Sequence, residues 1–434
     1  MQDKGKVIIF EARYKNLPIM RKLFFLLLVA VMMSSCSKTD NASPFVRQAD
    51  GRLWLGDKEY RFVSTNMWYG ALMASEGQGG DRARLCSELD TLHALGFDNL
   101  RVLVGAEGEE YISGQVWPTL QLAAGEYNDT LLVGLDYLLQ QMQLRGMKAV
   151  LYMNNAWMWS GGYSYYLQLA GCGPSPIDME DFDGYVAYAA QFSSNAKAKQ
   201  MYLDNVRHIV TRTNSLTGVA YADDPTIMAW QLCNEPRLFC DTLKAEFAEW
   251  QSQATALIRS LDSNHLISTG GEGLVGCSFD AELLQQICSD PNVDYITVHI
   301  WPANWGWARR DALDEDLDSA CILTTDYINQ HLSLSRELHK PIVIEEFGYP
   351  RDSFSFSPSS TTTLRDRFYR HIVDAFHSNP EIAGLNFWAW GGVVTARHEM
   401  WQPFDPFMGD PPQEPQGLYS VFASDTSTIR ALTK

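Results

Sequence analysis

Eight short β-rich runs, each separated from the next by a helical stretch, constrain this chain more than any other feature. The runs fall near 61–66, 99–104, 147–153, 227–232, 265–269, 294–299, 341–345 and 384–389. Helical periodicity is clear in Arg82–Leu95, Leu131–Leu144, Leu243–Leu261 and Leu364–Phe376. Parallel strands need crossovers of this kind, and eight of them favour closure into a (β/α)8 TIM barrel over an open doubly wound sheet. No GxGxxG or GxxxxGK turn follows any of the runs, so nucleotide binding has no support. The 434 residues exceed the roughly 250 of a minimal barrel, which predicts a single domain over 51–434 with long βα loops. The connection 154–226, carrying Trp157 and Trp159, is expected to form part of a cleft wall, and the Pro- and Asp-rich segment 404–415 to wrap the barrel.

The aromatic load is harder to place in a core. There are 13 Trp beside 19 Tyr and 20 Phe, and each buried indole N–H needs an acceptor. Sugar rings offer a natural alternative partner, being flat C–H faces edged with hydroxyls. Formal charge is −18 overall; residues 1–36 hold six of the 34 basic and two of the 52 acidic side chains, so the remainder is near −22. That balance argues against nucleic acid or an anionic membrane face as partner and fits a neutral substrate.

The segment Met20–Cys36 has a basic start, an apolar run from Leu23 to Met33, and Ser34-Ser35 before the cysteine. It reads as a signal peptide ending in a lipobox, with lipid carried on Cys36 and residues 37–50 as a tether. An exported lipoprotein of an outer membrane, facing the surface or the periplasm, is the expectation. Residues 1–19 do not fit a signal start, which points to Met20 as an alternative beginning. An ordinary secretion signal with an incidental cysteine is the alternative. The run is too short for a confident transmembrane helix. Seven further cysteines include no CxxC pair and no histidine spacing suited to zinc, so no metal is expected and most should be buried small hydrophobes.

In a barrel, polar residues at strand C-termini are the candidates for chemistry, because the loops that follow build the site. They are Asn66, Arg101, Asn154-Asn155, Asn234-Glu235, Glu272, His299, Glu345-Glu346 and Trp388 or Trp390. The strongest segments are Trp230–Arg237 and Ile344–Tyr349, each with a carboxylate just after an apolar strand. Pro236 is expected to keep Glu235 extended. Glycosidic cleavage needs such a pair: one carboxylic acid protonates the leaving oxygen and the other carboxylate attacks or stabilises the anomeric carbon, about 5–5.5 Å away when configuration is retained. Either glutamate alone would pass for a helix cap or a surface ion pair; both together, with Arg101 and His299, are poorly explained that way.

Several segments resemble glycoside hydrolase family 5 and, within it, the bacterial mannanase group: Thr65–Gly70, Asn99–Arg101, Asn234–Arg237, His299–Pro302, Glu346–Gly348, Asn386–Trp388 and Glu414–Val421. The resemblance implies endo-hydrolysis of β-1,4-mannosidic bonds in mannan, glucomannan or galactomannan by double displacement, with no cofactor and a monomeric enzyme. It makes Glu235 the acid/base and Glu346 the nucleophile, because the family nucleophile directly precedes an aromatic–glycine pair. Strand alternation would then turn Glu345 towards the helix layer, into an ion pair. The resemblance further implies that Asn234 bonds the 2-hydroxyl, Arg101 holds the nucleophile ionised and His299 orients the acid/base. Trp388 would be the sugar platform, with Trp390 as fallback, and Arg237 would lie on the leaving-group side. Two departures stand out. Trp68-Tyr69 reverses a family Tyr-Trp pair expected to bind substrate, and Trp301 stands where the family has a tyrosine. An indole N–H donates but cannot accept. A cellulase, an exo-acting mannosidase and an inactive glycan-binding lipoprotein remain the alternatives.

Overall fold

The computed structural model describes residues 43–176 and 181–433. The expected export segment, Cys36 and residues 37–42 of the expected tether lie outside the described residues. The rest of that tether is folded. Val46–Ala49 pairs antiparallel with Arg52–Leu55, because Val46 and Leu53 are apolar and become fully buried.

Eight parallel strands follow: β1 (Phe62–Asn66), β2 (Asn99–Leu103), β3 (Lys148–Tyr152), β4 (Ile227–Gln231), β5 (Leu266–Ser268), β6 (Ile296–Ile300), β7 (Ile342–Phe347) and β8 (Ile382–Phe387). Each overlaps its expected run. The pairing order β5-β4-β3-β2-β1-β8-β7-β6 is that of a barrel opened at one seam. That seam is bridged by the bonds from Asp294 N–H to Ile267 O and from His299 N–H to Glu272 O.

Helices α1 (Arg82–Ala94), α2 (Asp129–Gln143), α3 (Ala196–Val210), α4 (Lys244–Leu261), α5 (Ala281–Cys288), α6 (Leu313–Leu338), α7 (Thr363–Ser378) and α8 (Thr426–Leu432) follow the strands in turn. Their starts are chemically marked. Asp81, Asn128, Asn195 and Asp280 each accept a hydrogen bond from a first-turn N–H. In α2 the residues Leu131, Leu135, Leu138 and Met142 repeat at helical spacing and are buried.

The core has two main parts. One lies between sheet and helices and around the barrel mouth. The other closes the barrel floor, where Val46 and Leu53 pack with Phe62, Val150, Met228 and Val343. All seven described cysteines are free thiols, and Cys233, Cys277 and Cys288 are buried. Among the described residues no helix is long and apolar enough to cross a membrane.

Two features depart from regular strand geometry. Val298 pairs with Ile344 but His299 pairs with Glu346, so Glu345 is an extra residue in a bulge. The bulge breaks the alternation that would have sent Glu345 to the helix layer; its side chain lies inside the barrel. The segment 404–415 also does more than wrap the exterior. Asp410 accepts N–H bonds from Gly417 and Tyr419, both at 2.7 Å, and the fold so held brings Pro411 and Glu414 to the cleft.

Candidate active site

A cleft of about 680 Å³ opens at the C-terminal ends of the strands. Glu235 and Glu346 face each other across its floor, following β4 and ending β7. Glu235 does not keep the extended backbone expected before Pro236, for its φ is +51°. This left-handed turn costs a non-glycine residue about 1–2 kcal/mol. It is held by the bond from Glu235 N–H to Gly270 O at 2.9 Å and by two bonds to the carboxylate.

Those two bonds come from Trp157 Nε1 to Oε2 at 2.5 Å and from His299 Nδ1 to Oε1 at 2.9 Å. His299 Nδ1 also lies 3.3 Å from Glu346 Oε2. Both neighbours of this nitrogen are carboxylate oxygens, so Nδ1 is the protonated one. Burial alone would lower the proton affinity of His299. The charges of Glu346 and Glu235, with hydrogen bonds to both, outweigh it and raise the pKa to about 10. Burial raises the Glu235 carboxyl, and the His299 bond and charge, then Arg237 and Trp157, bring it below its ordinary value. At neutral pH the Glu235–His299 pair therefore holds one proton, stored on the ring.

Arg101, fully buried in β2, donates to Glu346 Oε1 at 2.5 Å, Asn66 Oδ1 at 3.2 Å, Gln231 Oε1 at 2.8 Å and Asn234 Oδ1 at 2.9 Å. Trp301 Nε1 donates to Glu346 Oε2 at 3.2 Å, so the indole supplies a donor to that carboxylate. Arg237 pairs with Glu272 at 3.2 Å and stands over the Trp157 ring at 5.4 Å. Burial, then the charge of Glu235, pushes Glu272 up to about 8 against the opposing pull of Arg237.

Asn234, Arg237, Trp301 and Trp388 line the cleft with the two glutamates, and Trp157 and Trp159 form the wall expected of the 154–226 connection. Two expected contacts, Trp68 and Tyr69, are absent from the lining, and so is the fallback platform Trp390. Trp68 is buried and donates to Gly409 O, Tyr69 is buried and donates to Trp390 O, and Trp390 itself donates to Glu88. All three are satisfied within the protein, beneath the cleft rather than in its lining. Sequence reasoning missed Asn304, Trp305, Trp307, Phe279 and Glu414, which do line it. The Trp-rich stretch after His299 was the available signal for three of them; no motif marks Phe279, and Glu414 was noticed only as part of a segment.

Donor atoms of Glu235, His299 and Glu346 lie within 4.8 Å of one another, close enough to surround a cation. Each is already engaged in the hydrogen bonds just described. Two carboxyl groups this close at the mouth of a parallel barrel, bridged by a protonated imidazole, define a glycoside hydrolase. Within that class, the sequence pattern of the family described as "GH family 5 beta-mannosidase-like" matches residues 43–434, and the chain belongs to glycoside hydrolase family 5.

A Glycoside Hydrolase Family 5 Mannosidase from Rhizomucor miehei is 30% identical, with a TM-score of 0.82 over 90% of this chain and 96% of that one. Mannan endo-1,4-beta-mannosidase 7 of Arabidopsis thaliana is 26% identical over 84% of this chain and 83% of its own. A hyperthermostable endo-1,4-beta-D-mannanase from Thermotoga petrophila shares the fold at 22% identity and a TM-score of 0.65, over 86% of this chain and 98% of that one.

Proposed function

We propose that the protein hydrolyses β-1,4-mannosidic bonds within mannan, glucomannan or galactomannan, with retention of configuration. The observation that supports retention is that an oxygen of Glu235 and one of Glu346 lie within 4.8 Å of each other, with His299 Nδ1 between the two carboxylates at 2.9 and 3.3 Å. Inversion requires about 6.5–9.5 Å to admit a water between the carboxyl groups. The mannan preference rests on the plant and fungal relatives.

A sugar stacked on Trp388 presents its anomeric carbon to Glu346. The Glu346 carboxylate attacks as the glycosidic bond breaks, and Glu235, taking the proton held on His299 Nδ1, delivers it to the leaving oxygen. The glycosyl–Glu346 ester is then cleaved by water whose proton passes to Glu235. Asn234, held by Arg101, bonds the 2-hydroxyl in this reading, and Arg237 contacts the leaving chain. No step requires a cofactor.

Reducing-end assays on mannan and on carboxymethyl-cellulose, with Glu346→Ala alongside, test both substrate and mechanism. Turnover of mannan that is lost in the variant is expected. Turnover of cellulose alone would overturn the substrate, and undiminished activity in Glu346→Ala the mechanism. Action from a chain end is the second reading, favoured by Pro411 and Glu414, which line the same cleft as Trp388 and could narrow it.

The export signal and lipid on Cys36 complete the proposal: an enzyme held at an outer membrane by its acylated N-terminus, acting as a monomer. It is supported by the basic, apolar and small-residue order of Met20–Cys36. Mass spectrometry of the N-terminal peptide should find Cys36 acylated; an unmodified or removed Cys36 would refute it. Antibody labelling of intact cells separates surface from periplasm.

A further inference from the structure

Glu345 is a buried carboxylate of the barrel interior that the mechanism does not use. The bulge in β7 turns it inward beneath Glu346, where it is 1% exposed. Its Oε1 accepts from Gln231 Nε2 and, at 3.2 Å, from Tyr295 OH. Its Oε2 has no hydrogen-bond partner and lies 3.6 Å from Arg101 Nε and 4.0 Å from His299 Nε2. His299 Nε2 is likewise buried without a hydrogen bond. Two sealed polar atoms thus face each other, one on an acid and one on the ring that holds the reaction's proton. Unpaired polar atoms are costly to bury, and opposite charges at this distance attract strongly in a dry interior.

We propose that Glu345 is a positioning residue of the reaction: its carboxylate faces the far nitrogen of His299 and, together with Glu346, brackets Arg101. This fixes the ring with Nδ1 towards Glu235 and keeps the proton on it. The proposal rests on Glu235 being the acid. Other titratable or charged groups facing this layer are Arg101 and Tyr152 from β2 and β3, Glu235 and Glu272 after β4 and β5, Tyr295 before β6, and Glu346 in β7. Three of these carboxylates pair with His299: Glu235 and Glu346 meet it at Nδ1, and Glu345 meets it at Nε2.

The sign follows from charge. A carboxylate beside His299 stabilises its protonated form, so removing that charge lets the proton leave at lower pH. In Glu345→Gln the alkaline limb of the kcat profile should move down by about one pH unit, a tenfold loss of proton affinity. KM should stay within about twofold, since Glu345 does not reach the cleft. Glu345→Asp keeps the charge but withdraws it by one methylene, and should shift the limb the same way by less. Thermal melts confirm that each variant is folded. An alkaline limb unmoved in Glu345→Gln, or in Glu345→Asp if only that variant folds, overturns the proposal. Glu235→Ala with azide separates the two readings. Loss of activity restored by azide, with no shift in the Glu345 variants, removes Glu345 alone; activity unaffected in Glu235→Ala removes the acid assignment on which it rests.

Discussion

The Arg101 guanidinium reaches four side chains from inside the barrel, and its planar fork matches their positions. Lysine has one charged nitrogen and cannot serve them all. Arg101→Lys is expected to lower kcat by about a hundredfold, on the order of 3 kcal/mol of transition-state stabilisation, with a smaller change in KM. Steady-state kinetics on mannopentaose checks it, and a change confined to KM would contradict it. Trp301 makes a narrower contribution, one bond from Nε1 to Glu346 at 3.2 Å. Trp301→Phe removes only that donor, and kcat should fall by about tenfold or more. An unchanged kcat would make Trp301 a packing residue, which its edge-on contacts with Trp388 and Tyr419 also suit.

Much of this residue-level chemistry was legible in the sequence, because each catalytic candidate ends a recognisable strand. Glu345 was misplaced because a bulge leaves no mark on an Ile-Val-Ile-Glu-Glu-Phe run. Trp68 and Tyr69 were misplaced for a related reason: an aromatic pair after a strand reads alike whether it faces sugar or a Gly409 carbonyl. The left-handed Glu235 comes from tertiary bonds to Gly270, Trp157 and His299, none of them local.

At the scale of elements, the loops decide the cleft and the helices hold the loops. The 154–226 connection is pinned where Gly162 N–H donates to Glu107 Oε2 at 2.9 Å. The adjoining Gly161 has φ +88°, and a Cβ there would meet Glu107 O at 2.1 Å, so only glycine fits. On the other side, His331 of α6 supports the loop after β5. Its Nδ1–H donates to Tyr327 O at 2.8 Å, and its Nε2 accepts from Leu274 N–H at 3.1 Å. A neutral ring satisfies both bonds; a charged one cannot accept.

Burial lowers His331 to about 4, against a smaller opposing pull from the Tyr327 bond. For a histidine depressed on folding, stability is whole above its ordinary value near 6.5 and is lost as pH falls towards 4. The loss should be on the order of 3 kcal/mol in this one group. Urea unfolding at pH 7 and pH 4.5 measures it by difference. His331→Gln, which can keep both bonds without titrating, should lose less stability than wild type between these values, and an equal loss would contradict the account.

Across the whole molecule, the barrel supplies rigid strand ends and sequence-remote segments complete the cleft. Eight strand signals sufficed to read the barrel, since apolar runs between helices depend little on distant contacts. The cleft wall was harder to read, because Phe182, Phe279 and Glu414 meet there from three separate segments. Phe182 and Phe279 are 55% and 67% exposed at its rim, more than a core residue would be. If they bear the leaving chain, Phe279→Ala should raise KM for long mannan several-fold while sparing short aryl mannosides. Equal effects on both substrates would remove Phe279 from polymer binding.

Retaining hydrolysis of mannan through Glu235 and Glu346 fixes the anomer that is released first. Proton NMR of mannohexaose during the first minutes of digestion tests it most directly. Internal cuts are expected, with the new reducing ends appearing first as the β-anomer and mutarotating later, and no such signals from Glu346→Ala. An α-anomer appearing first, or products persisting in that variant, would contradict it.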